Sequence, residues 1–285
     1  MAAKPWQPDG CETVEFRSPA GDVVTFRMLA GATGRMMPPS KITTLAVPAA
    51  SGARLVGSFH QERPVAVPVA APGTITDRAE LRRWARALDP TKGEGTLTVV
   101  QGPSPGRFLR CVYESGLDAL EETFPNVNPV ALVFRAAWPY WLDAVEQSQS
   151  VAQGSTVTHW FPFLPLILGA SDAFAVFTVN ITGDVPSWPV VTVTGPGQDA
   201  TVQNLTSGLS WTVSGALNAG QHLTVDTRPS FKSVTIDGVN AFPRLTPASA
   251  LWPLLPGQNR IQVSLALTSP ASLVSFAWRN QWLAA

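Results

Sequence analysis

The sequence predicts a mainly β protein in two domains, one over residues 1–147 carrying a single helix and an all-β one over residues 148–285. Three observations predict it. The 26 prolines and 22 glycines are scattered along all 285 residues and cut the chain into short segments. Between them lie β-branched runs of strand length. One segment only, near residues 76–88, has the periodicity of a helix. The length suffices for two cores of ordinary size without covalent staples.

The elements follow in order. Thr13–Phe16 and Asp22–Met28 flank Ser18-Pro-Ala-Gly21 and read as a hairpin. Leu29–Arg35 holds two glycines, lacks the Gly-Lys-Ser/Thr end of a phosphate-binding loop and reads as a mobile loop. Gly52–Phe59 and Val65–Ala70 read as strands. Thr76 suits a helix N-cap and Asp77 the positive first turn. Leu81, Trp84, Ala85 and Leu88 then form one apolar stripe, and Asp89-Pro90 ends the helix. Thr96–Gln101 and Arg107–Glu114 form a second hairpin across a Gly/Pro-rich turn. Ala144–Thr158 is polar and marks the domain boundary. Beyond it, Phe174–Ile181, Val190–Thr194, Ala200–Asn204, Ser210–Val213, His222–Asp226, Ser233–Ile236 and Arg260–Leu267 are strands at short spacing. Asp237-Gly238 is a two-residue hairpin signal. Many short strands with regular turns predict a sandwich or jelly roll.

Charge excludes some functions. Lys, Arg, Asp and Glu make up 14% of the chain and the formal net charge is zero, against about 25% charged residues in an ordinary soluble domain. A nucleic-acid binder needs a basic surplus to neutralise phosphates, so no sequence-specific nucleic acid is expected. Arg82, Arg83 and Arg86 read as a solvated or subunit-facing helix side. A sparsely charged surface fits either extensive cover by neighbours or a loop-rich surface of Ser, Thr, Asn and Gln. Cys11 and Cys111 lack metal-site spacing and read as two separate buried thiols. The N-terminus MAAKPWQPDG lacks a signal-peptide core. The longest apolar stretch, Trp160–Ala170, is interrupted by Pro162 and Pro165, so no membrane insertion is expected. The chain is expected to be made in the cytoplasm and to leave it only within a larger particle.

No catalytic, cofactor or metal constellation emerges. His60, His159 and His222 lack metal-ligand spacing. Ser58 and His60 share a strand face but lack an orienting carboxylate and a nucleophile turn. Asp118, Glu121 and Glu122 read as a solvated loop. Asn180-Ile-Thr182 and Asn204-Leu-Thr206 match a glycosylation pattern that has no meaning without secretion. Ten tryptophans allow for sugar stacking, with Trp188, Trp211 and Trp252 as candidate glycan-facing rings; core or subunit interface is the other reading.

Several segments, taken together and in order, resemble the distal tail protein family of siphovirus-type phages. In the first block these are Arg54-Leu-Val-Gly-Ser-Phe-His60, Arg63-Pro-Val-Ala-Val-Pro-Val69, Arg86-Ala-Leu-Asp-Pro90, Gly93-Glu-Gly-Thr-Leu-Thr-Val-Val100, Arg107-Phe-Leu-Arg-Cys-Val-Tyr113 and Phe134-Arg-Ala-Ala-Trp-Pro-Tyr-Trp141. Trp138 stands where the family often has Asp before Pro-Tyr. In the second block the segments are 183–195, Thr201–Gly208, Leu223–Thr227, Val234–Asn240 and Leu254–Asn259. The resemblance implies a split-barrel-like, ring-forming belt domain followed by a galectin- or carbohydrate-module-like β-sandwich. It implies a non-enzymatic virion protein of the tail tip, baseplate and host-attachment apparatus, closing a homo-hexamer around the channel for DNA. Implied partners are the tail tube protein, the tail hub or tail-associated protein and the tape-measure protein, with receptor-binding proteins or cell-surface glycans beyond. The alternative reading is a carbohydrate-binding module for adsorption. A ring needs a head-to-tail interface that closes, and unpaired sheet edges can make one. Val65, Val67, Val69, Thr96, Thr98 and Val100 are therefore the expected interface positions, on strands within Val65–Ala70 and Thr96–Tyr113.

Overall fold

A computed structural model of the chain describes residues 13–46, 51–70, 78–100, 106–117, 129–152 and 175–285. The chain divides into two compact units, residues 1–144 with 282–285, and residues 145–281. The boundary expected after residue 147 thus falls three residues later than the observed division. Residues 282–285, assigned from sequence to the second domain, return to the first unit.

The first unit contains β1 (Thr13–Arg17), β2 (Val23–Arg27), β3 (Ser40–Ala46), β4 (Ala53–His60), β5 (Arg63–Ala70), α1 (Arg78–Leu88), β6 (Gly95–Val100), β7 (Arg107–Ser115), β8 (Pro129–Ala136) and β9 (Trp141–Asp143). Six strands form an antiparallel sheet in the order β2-β1-β6-β7-β8-β5. The stretch after β2 then runs beside β5. Leu29 N donates to Pro68 O at 2.8 Å, and Thr33 and Ala66 exchange backbone bonds at 3.0 and 3.2 Å. These bonds link the two ends of the sheet into a split barrel. The expected mobile loop Leu29–Arg35 is therefore ordered as a barrel seam. Gly34 lies there at φ +78° against the Pro64 carbonyl, where a Cβ would collide with backbone.

Strand alternation builds the core as a period of two requires. Val14 and Phe16 point inward from β1, Val65, Val67 and Val69 from β5, Leu97 and Val99 from β6, Leu132 and Phe134 from β8. The Phe16 and Phe134 rings stack at 5.4 Å between centroids. From α1, Trp84, Ala87 and Leu88 are buried, whereas Ala85 is exposed. The apolar stripe is thus rotated by Ala87 replacing Ala85. Thr76 and Asp77 lie outside the described residues. Asp89 instead caps the 3-10 turn Pro90–Lys92, accepting Thr91 N at 3.0 Å.

The second unit contains β10 (Gln147–Ala152), β11 (Ala175–Ile181), β12 (Val190–Thr194), β13 (Gly197–Asn204), β14 (Leu209–Leu217), β15 (His222–Asp226), β16 (Ser233–Ile236), β17 (Val239–Asn240), β18 (Gly257–Ala266) and β19 (Leu273–Trp278). The last strand, β20, is Gln281–Trp282. One sheet runs β10-β19-β12-β15-β16-β17 and the other β11-β18-β13-β14. Both donate to one core: Val191, Val193, Val225 and Phe276 from the first, Ile181, Val202, Trp211 and Ile261 from the second. This is a β-sandwich. Asp237 and Gly238 both take positive φ, 48° and 80°, as a primed hairpin turn between β16 and β17 demands. One expectation needs correction. The polar stretch at 147–152, read as part of the domain boundary, forms edge strand β10 against β19, because an edge strand can be polar on its outer face. Asn204, in a triplet read without a glycosylation role, is buried and accepts from Thr206 N and Ser207 N at 2.9 and 3.2 Å. Trp160–Ala170 lies outside the described residues, as do Cys11, Asp118, Glu121, Glu122 and His159.

Candidate assembly surface

Among the described residues, strands β3 and β4 pair only with each other, as a two-stranded antiparallel arm. Every residue of β3 is exposed, and in β4 only His60 is half-buried. A lone two-stranded ribbon is marginal in water, and its outer edges present unpaired backbone groups. Its apolar content makes the exposure more unusual. Ile42, Leu45, Leu55, Val56 and Phe59 are each between 57% and 65% exposed.

The register decides how those side chains are arranged. Ile42 is opposite Ser58 and Thr44 opposite Leu55, so Ile42 and Leu55 share one face. Lys41 is opposite Phe59 and Leu45 opposite Arg54, so Leu45 and Phe59 share the other. A bulge near Val56 separates the two halves. Both faces of the arm are therefore apolar. A ribbon that covered its own barrel would show one apolar and one polar face; this one carries exposed apolar side chains on both. Its charged residues are Lys41 and Arg54, with no carboxylate from Ser40 to His60.

The root of the arm is rigidly built. Gln61 N donates to Pro39 O at 2.7 Å, closing the hairpin base. His60 Nδ1 and the Tyr140 hydroxyl are 3.0 Å apart, and Trp138 packs edge-on against Tyr140. Burial pushes the Tyr140 phenol above its ordinary range. Arg135 forks onto Glu114 with Nε and Nη2, and its Nη1 reaches Glu62 at 2.5 Å. The hydrogen bonds from Arg135 hold the Glu114 carboxyl below its usual range.

Arg63 lies at the centre of the root. It is fully buried, and among the described residues no carboxylate pairs with it. Nη1 donates to Gly34 O at 2.9 Å and Met36 O at 3.0 Å, and Nη2 to Leu283 O at 2.7 Å. Desolvation pulls its guanidinium down to about 10. Both terminal nitrogens thus reach backbone carbonyls in place of a counter-ion, while the buried Nε meets no acceptor among the described residues.

The residues expected from sequence at an interface lie elsewhere. Val65, Val67 and Val69 are core side chains, no more than 1% exposed. Thr96 and Thr98 are half-buried, and the Val100 side chain is outside the described set. Both edges of β6 are occupied, by β1 and β7, and β5 is flanked by β8 and the seam. No sheet edge is free at either place, so the expected edge pairing through them is not available. Among the tryptophans, Trp211 and Trp252 are buried at 0% and 1% exposure in the sandwich core and do not face a ligand; Trp188 is half-buried. Among the described residues no group of metal-ligating side chains occurs, and no helix is long and apolar enough to cross a membrane. Sequence reasoning missed β3. Its signal was the β-branched run Lys41–Leu45 followed by the turn residues Pro48 and Gly52.

Comparison with known proteins agrees with this architecture. Residues 182–282 match the family described as siphovirus-type tail component, C-terminal domain. The chain is similar in fold to the crystal structure of phage SPP1 Dit, described as a paradigm of the hub adsorption apparatus in phages infecting Gram-positive bacteria. That likeness has a TM-score of 0.66 at 15% identity and covers 94% of this chain and 98% of the other. A chain of the phage p2 baseplate, in its activated conformation with Sr, is similar at a TM-score of 0.51 and 11% identity, over 97% and 100% of the two chains. No curated protein matches by sequence. Residues 182–282 thus match the C-terminal domain model of the siphovirus-type tail component family, on a chain whose fold is similar to that of phage SPP1 Dit over 94% of its length.

Proposed function

We propose that this protein is a structural component of a phage tail tip, and that it closes a six-membered ring with copies of itself through the β3–β4 arm. The arm carries the argument. It is apolar on both faces, unpaired on both edges and exposed in the single chain, so its stable state is one in which a neighbour encloses it. One arm per subunit, seated on the next subunit, is a head-to-tail contact, and repetition of such a contact closes a ring. The ring would surround the channel for DNA and the tape-measure protein, and join the tail tube to the distal hub or adsorption apparatus. The sandwich of residues 145–281 would then serve as the part that other tail-tip proteins contact. The role is non-enzymatic. Burial of Trp211 and Trp252 gives the sugar-binding alternative no support from those rings.

Light scattering and negative-stain imaging of the purified chain test the reading. The expected result is a six-fold ring with a central hole. A chain that stays monomeric alone and also in the presence of purified tail tube and hub proteins would overturn it.

A further inference from the structure

We infer that Arg63 and residues 283–285 act as a lock that sets the pose of the β3–β4 arm, making the segment after the sandwich a positioning element for assembly. The inference rests on the reading of the arm as the assembly surface. The chain enters the arm through Gly34–Pro39 and leaves it through Gln61–Arg63. One guanidinium holds both: Arg63 sits on the exit and donates to Gly34 O and Met36 O on the entry. Its third acceptor comes from a distant part of the sequence, Leu283 O at 2.7 Å. Ala285 N adds a direct bond to Arg35 O at 3.0 Å. So residues 283–285 contact the arm root twice, through Arg63 and through Arg35.

The segment is itself anchored to the same unit, independently of the arm. Arg107 Nη1 donates to Ala284 O at 2.8 Å, and its guanidinium lies 3.9 Å above the Trp282 ring. Trp282 Nε1 donates to Asp143 Oδ1 at 2.7 Å. The segment is therefore a fixed strut on which the root is tied. Removing the Leu283 carbonyl adds an unmatched Nη2 donor to a buried guanidinium whose Nε already meets no acceptor among the described residues, and a second unmatched donor on a buried charge is costly enough to drive rearrangement. The nearest escape is for Arg63 to turn toward water, which releases Gly34 and Met36 together. Lysine cannot substitute, since one ammonium does not span carbonyls placed for a forked guanidinium.

Two variants of the full chain test this: deletion of Leu283–Ala285, and Arg63→Lys. Amide hydrogen exchange is read at Leu29, Thr33, Gln61 and Ala66, whose bonds define the seam and root, and at Val202 and Val263 in the sandwich core. The expected result in both variants is exchange at least about tenfold faster at the root, the signature of losing one buried hydrogen bond, with the sandwich amides unchanged and the ring fraction reduced. If Arg63→Lys fails to fold, the deletion alone decides. Root exchange equal to that of the parent chain in the deletion variant would overturn the lock, and so would equal acceleration at all sites. A parent chain that never forms rings, but whose root responds to the deletion, would sink the assembly reading and leave the lock standing.

Discussion

Replacing Leu55 and Phe59 together by serine separates the arm's role from its fold. The two side chains lie on opposite faces, 61% and 57% exposed in the single chain. Burying one such side chain completely is worth about 1.5–3 kcal/mol. With roughly three-fifths of each still in water, an enclosing neighbour would gain about 1–2 kcal/mol from each. The double variant should therefore weaken each subunit contact by about 2–4 kcal/mol, or roughly 30- to 1000-fold in its dissociation constant. The subunit itself should hold its stability to within about 0.5 kcal/mol, since exposed side chains contribute little to it. Sedimentation velocity over a dilution series gives the first quantity and thermal unfolding the second. A variant ring that comes apart only over the same concentration range as the parent ring would refute two-faced enclosure. So would a subunit whose melting temperature falls by several degrees, because the side chains would then be packing on their own barrel.

Three further outcomes follow from the packing. Trp211→Ala empties a fully buried site in the sandwich and should cost about 3–5 kcal/mol in thermal or denaturant unfolding. Gly34→Ala forces a Cβ onto the Pro64 carbonyl at positive φ; it should destabilise by about 1–3 kcal/mol, with seam amides exchanging faster before the sandwich does. Burial raises the Cys111 thiol well above its ordinary value of 9.0. In a Cys11→Ser background Cys111 should resist thiol reagents at pH 8 until the chain unfolds. The sign of the linkage follows from the raised value: the neutral buried thiol contributes its full stability below pH 9 and loses it as pH climbs above, measurable as a falling melting temperature in that range.

Most strands of the sandwich were legible because each has the period of two and a turn residue at its end. Val190–Thr194, His222–Asp226 and Ser233–Ile236 coincide with β12, β15 and β16 to the residue. Strand β10 was not legible, since an edge strand tied on one side needs no apolar run, and Gln147-Ser-Gln-Ser reads as linker. The assembly surface was obscured for a related reason. Sequence patterns show which residues prefer burial, and Val65, Val67 and Val69 do; they do not show whether the cover comes from the same chain. Those valines found it in their own barrel. Ile42, Leu45, Leu55 and Phe59 are as apolar in the sequence, but lie on a ribbon that finds no cover among the described residues of its own subunit. Arg63 was quoted only as part of a strand, because the acceptors that explain it are backbone carbonyls from residues 34, 36 and 283, and backbone carries no sequence signal.

The return of residues 282–285 to the first unit also orders events in time. On a ribosome adding about 5–20 residues per second, the barrel strands up to residue 136 emerge first, and the entire sandwich sequence must follow before Leu283 can reach Arg63. For roughly ten seconds or more the nascent barrel exists with its arm root unsecured. A product cut short anywhere in the sandwich never passes beyond that state. Emergence of residues 283–285 would thus be registered in the pose of the arm itself, and chains that lack them would present a differently held arm.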